Sequence, residues 1–109
     1  MGFFSQDTKE DAIRCINKIN VEMRAISASM HLNYNMIDGR NKNEIKSLYS
    51  NIIRYIQKYE SIKKSLSGID NLFFQGETVD VWNGERVDVF TWETYLFNVM
   101  HKLSNELNY

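Results

Sequence analysis

Two heptad stripes that mirror each other leave this chain little choice of fold. Ala12, Ile16, Ile19, Met23, Ile26, Met30, Asn33 and Ile37 recur at alternating spacings of four and three, the signature of one apolar face on a long helix. Ile45, Leu48, Ile52, Tyr55, Tyr59, Ile62 and Leu66 repeat the alternation at once. The stripes are reflections about position 39, pairing Ala12 with Leu66, Ile16 with Ile62, Ile19 with Tyr59 and Ile26 with Ile52. A glycine occupies that mirror point, in Asp38-Gly39-Arg40. Antiparallel helices joined by a tight turn require such a register, so the chain is predicted to open with a helical hairpin closed by a coiled-coil-like seam.

The capping residues bracket these helices. Asp7 with Glu10 three residues later, and Asn41 with Glu44, have capping-box spacing, while Gly39 and Gly68 suit the left-handed residue past a helix end. The helices are expected at about 7–38 and 42–67, the first running roughly 46 Å at ~1.5 Å per residue. On the first helix Ile13 and Tyr34, and on the second Tyr49 and Ile56, fall on one flank of the seam with Ile53 nearby, whereas the other flank is polar. A third element is therefore expected on the apolar flank.

Beyond Gly68 the period changes. Residues 77–90 alternate valine with polar side chains around Asn83-Gly84, a β-hairpin pattern. A three-residue loop, Trp82-Asn83-Gly84 with Gly84 left-handed, collects Val79, Val81, Val87 and Val89 on one face and sets Asp80 opposite Arg86. A last helix is expected at about 91–107, capped by Thr91, with Phe90 and Tyr95 as a hydrophobic staple and Trp92, Leu96, Val99 and Leu103 on its core side. The fold class is thus mainly α, in the order α-α-β-β-α, and 109 residues make one domain of residues 1–109.

With one cysteine, Cys15, no internal disulfide forms and a reducing cytoplasm is the expected compartment. No secretory leader or apolar membrane span is recognisable, so no membrane association is expected. Two distant histidines, no Cys-x-x-Cys, no His-Glu-x-x-His and no phosphate-binding glycine loop leave no metal site and no cofactor to predict. Enzymatic function is therefore not expected.

Arg24 and His31 stand two turns apart on the outward arc of the first helix. Their spacing resembles the Arg-x4-6-His pattern of HEPN ribonucleases, which implies Arg24 as a phosphate ligand and His31 as the acid–base group acting on RNA. A solvated helix face accounts for the same pair. Residues 40–64 carry seven basic and two acidic side chains, and residues 70–109 two basic and seven acidic. Arg40, Lys46, Arg54 and Lys64 point outward and offer a track for a nucleic-acid backbone, although few charges and no interleaved aromatics accompany it.

Phe73, Phe74, Trp82 and Phe97 lie off the expected seam faces, and a final helix of roughly 25 Å is too short to cover a 46 Å groove. The leading expectation is therefore a small non-enzymatic protein–protein interaction module of the inhibitor, immunity or adaptor kind. It would use an uncovered helical flank and those four aromatics, with another protein or a second copy of itself, as a homodimer, for partner.

Overall fold

The computed structural model describes residues 7–29 and 41–108. Four helices and two short strands run in the order α1 (Lys9–Ser29), α2 (Lys42–Ser65), α3 (Gly68–Gln75), β1 (Thr78–Asp80), β2 (Arg86–Asp88) and α4 (Val89–Leu107) among these residues. The molecule is mainly helical and carries the expected α-α-β-β-α elements, with the short α3 inserted before the ribbon. Its principal extents are 48 × 28 × 19 Å.

α1 and α2 pack antiparallel. The end of α1 meets the start of α2 where Ser29 Oγ donates to Glu44 Oε1 at 2.7 Å, and the other end closes where Ser65 Oγ donates to Asp7 Oδ2 at 2.8 Å. Between them the mirrored pairs Ala12/Leu66, Ile16/Ile62, Ile19/Tyr59 and Ile26/Ile52 are all buried. The bend at Gly39, the seam position Asn33, and Tyr34 and His31 lie outside the described residues.

The caps differ in detail from the sequence expectation. The box at the start of α1 is formed one residue later than Asp7 and Glu10: Thr8 N donates to Asp11 Oδ2 at 2.9 Å, and Asp11 N donates back to Thr8 Oγ1 at 3.4 Å. Asn41 does stand at the N-cap of α2 but makes no side-chain cap bond. It spends Nδ2 on the carbonyl of Ser29 at 2.8 Å, so the pair Asn41 and Glu44 fastens α2 to α1 instead of closing its own first turn.

The ribbon has the predicted register, Val79 opposite Val87 and Asp80 opposite Arg86. Val81 N donates to the carbonyl of Glu85 at 2.7 Å, which leaves Trp82, Asn83 and Gly84 as the loop, and Gly84 has φ +95°, where a side chain would be strained. Val79, Val81 and Val89 face the core. α4 starts earlier than position 91 because Asp88, the last strand residue, caps it: Thr91 N donates to Asp88 Oδ1 at 2.6 Å. Phe90 is consequently inside the first turn and largely exposed, not a staple partner of Tyr95.

α4 docks on the apolar flank of the hairpin through Trp92, Leu96, Met100, Leu103 and Leu107, all buried. The contact is organised by one polar side chain. Asn20, on α1, is 1% exposed. It accepts from Trp92 Nε1 at 2.9 Å through Oδ1 and donates from Nδ2 to the carbonyl of Asp80 at 2.6 Å. One amide therefore satisfies the ribbon and α4 together, and among the described residues no buried side-chain nitrogen or oxygen lacks a partner. Beside it Trp92 meets the Tyr59 ring edge-on at 5.5 Å, and Tyr59 meets Phe74 at 6.2 Å.

Candidate functional site

α3 separates two surfaces. Its residues Ile69, Leu72 and Phe73 share one face at spacings of three and four, and that face points to water: they are 68%, 71% and 58% exposed. Asn71, Phe74 and Gln75 share the opposite face, where Phe74 enters the core and anchors the helix. Lys9 stands over the Phe73 ring at 5.6 Å and reaches Glu77 at 3.7 Å, giving the exposed stripe a rim of both charge signs.

Behind the stripe, α3 and the ends of α2 and α4 enclose a cleft of about 470 Å³. α2 contributes Lys63 and Leu66, α3 contributes Asn71, Phe74 and Gln75, and α4 contributes Val89, Phe90 and Glu93. Lys63 Nζ donates to Glu93 Oε2 at 2.6 Å, and Tyr59 donates its hydroxyl to the same oxygen at 2.7 Å. Burial, reinforced by the bond to Glu93, pushes the Tyr59 phenol far above its ordinary ionisation range, so it is a permanent donor here.

The four aromatics singled out in the sequence are not brought together. Phe73 is exposed on α3, and Phe97 is 46% exposed on α4. Trp82 lies in the ribbon loop, half-buried against the core. Phe74 is buried in the core, where it pins α3 down, and does not share the exposed face of Phe73. Ile69 and Leu72 take the place beside Phe73 that sequence reasoning gave to Phe74 and Trp82, and helical phase over 68–75 is the signal that identifies both.

The apolar flank of the hairpin is not an open groove along its described length. Ile56 is buried, and Ile13, Tyr49 and Ile53 are half-buried against the core. α3 and the ribbon share the covering with α4, and α1 as described spans Lys9–Ser29, roughly 31 Å at ~1.5 Å per residue.

Arg24 is exposed on α1, while His31 lies outside the described residues. On α2, Arg54 is hydrogen-bonded to Asn51 and Lys64 is exposed, whereas Lys63 is committed to Glu93; Arg40 lies outside the described residues. Cys15 is buried, and burial raises its thiol above the ordinary value, which keeps it protonated and unreactive. Among the described residues no cluster of three His, Cys, Asp or Glu side chains is placed to hold a metal ion, and no helix is long and apolar enough to cross a membrane.

Comparison of the chain with protein-family models, with curated proteins and with solved structures finds no match.

Proposed function

We propose that this chain is a non-enzymatic protein–protein interaction module, of the inhibitor, immunity or adaptor kind, that docks through the outer face of α3. The carrying observation is the exposed stripe of Ile69, Leu72 and Phe73. Burying a side chain of that size is worth about 1.5–3 kcal/mol, and three neighbours on an eight-residue helix forgo it together while one, Phe74, is enough to hold the helix in place. Contiguous apolar surface with a charged rim is what a partner covers, and the partner here is another protein or a second copy of this chain.

Site-specific photo-crosslinking tests the reading. A photoreactive residue at position 72 is expected to give one discrete crosslinked product in the native host, absent when the same group is placed at Glu60 on the solvated face of α2. Sedimentation velocity distinguishes the two kinds of partner, because self-association through the stripe is lost in Leu72→Glu. Identical products from positions 72 and 60 would remove the proposal.

A further inference from the structure

The cleft on the inner side of α3 has a chemistry of its own. Its floor is apolar, formed by the buried side chains of Leu66, Phe74 and Val89, and its volume of about 470 Å³ lies in the range of ligand sites. Its polar end is the Lys63–Glu93 pair. Both bonds to the carboxylate end on Oε2. Oε1 is unclaimed among the described residues, and because no buried oxygen there lacks a partner, it opens to water. The ammonium of Lys63 has three protons, of which one is on Glu93 while the group rests 5.5 Å from the centre of the Tyr59 ring, so it keeps a donor to offer.

An acceptor and a donor thus stand side by side at a point whose charges cancel. A carboxylate entering the cleft is attracted by Lys63 and repelled by Glu93, and an ammonium meets the reverse. Either ion also sheds its hydration against three apolar side chains without a net electrostatic return. A neutral amide fits both groups: its N–H reaches Oε1 and its carbonyl accepts from Nζ. On the α3 wall Asn71 donates to the carbonyl of Leu66 at 3.4 Å and retains a proton and its own carbonyl, and the carboxamide of Gln75 stands one turn on. Amide groups on one wall and an amide-matching pair on the other suit a chain in which amides repeat.

We propose that this cleft binds a peptide segment of a partner protein, seating a leucine- or phenylalanine-sized side chain on Leu66, Phe74 and Val89 while the adjoining main-chain amide bridges Glu93 Oε1 and Lys63 Nζ. Phe90, 76% exposed at the mouth, closes over the inserted side chain. The site is distinct from the outer stripe of α3, so variants that abolish docking there leave it intact.

The test is a nitrogen-15 NMR titration of the full chain with N-acetyl-phenylalaninamide, beside 2-phenylethylammonium and 3-phenylpropionate, which carry the same ring on an ion. The blocked amino acid is expected to shift the amides of Asn71, Phe74, Phe90 and Glu93 saturably, with a Kd on the order of millimolar, and the two ions to bind at least about five-fold more weakly. Phe90→Ala, a change at an exposed residue that leaves the core untouched, is expected to weaken binding several-fold. Glu93→Gln leaves Lys63 uncompensated and is expected to reverse the order, with the propionate binding best. No saturable shift, equal binding of the three probes, or shifts confined to Ile69, Leu72 and Phe73 would overturn the proposal; should Glu93→Gln fail to fold, the parent titrations and Phe90→Ala decide it alone.

Discussion

Asn20 and the α3 stripe break the rule of apolar inside and polar outside in opposite directions. Asn20 is a polar side chain with 1% exposure, and both ends of its amide are used. Ile69, Leu72 and Phe73 are apolar side chains exposed by more than half, and a single neighbour secures their helix. The first arrangement spends both ends of its amide on bonds within the molecule. The second stores capacity on the outside. Stability and availability for a partner are thus kept in separate places, one against Trp92 at the centre and one at the end of the hairpin.

The comparison predicts unequal responses to substitution. Asn20→Ala is expected to have the largest effect, about 3 kcal/mol in urea unfolding, because it strands the indole N–H of Trp92 and the carbonyl of Asp80 in the core. If that variant unfolds like the parent, Asn20 is not the fastening it looks to be. Tyr59→Phe should cost about 1.5 kcal/mol at neutral pH through the lost bond to a carboxylate. It also carries a pH signature. Folding holds the Tyr59 phenol protonated well above the range in which the unfolded chain ionises it, so its contribution is complete below about pH 10 and is lost as pH rises further. The phenylalanine variant should lack that part of the alkaline slope.

Asp88→Ala comes next, with an expected fall of a few degrees in Tm as the cap of α4 is lost. The Asp88 carboxylate is held below its ordinary value by the backbone N–H of Thr91, and that of Asp11 by the N–H of Thr8 with help from Arg14. Both contributions are present above the unfolded value of 3.8 and disappear as pH falls through the lower folded values. Circular dichroism against pH should show the acid loss reduced in Asp88→Ala. Leu72→Ser is expected to change stability least, within about 0.5 kcal/mol, although it removes a large apolar group. A loss of several kcal/mol there would mean that the stripe is core after all, and the contrast with Asn20 would collapse.

The legible parts of the fold were those in which periodicity and burial agree. The seam shows in the sequence because its positions, Asn33 apart, are apolar or aromatic at alternating spacings of four and three, and the ribbon register shows because only a three-residue loop gathers the valines. α3 was hidden for the opposite reason. Eight residues are too few for a helix to stand by itself, and its apolar face, turned outward, contradicts the core pattern a reader looks for. Phe73 and Phe74 are adjacent and chemically identical, so only helical phase separates the exposed ring from the buried one. Asn20 was equally hidden: a polar side chain on a helix flank reads as solvated until Trp92 and Asp80, far along the chain, are brought against it. The cleft shares that difficulty, since its walls come from three helices and its matched pair, Lys63 and Glu93, from two of them.

The junction of ribbon and helix has a mechanical consequence. Because the residue that ends β2 also begins the winding of α4, no slack lies between them, and the ribbon acts as a gear for the helix. One residue added between Asp88 and Val89 would rotate everything after it by roughly 100° and swing the indole away from its amide partner. The same residue added among Trp82, Asn83 and Gly84 would be absorbed by the loop, so two insertions a few positions apart should yield one dead protein and one working one.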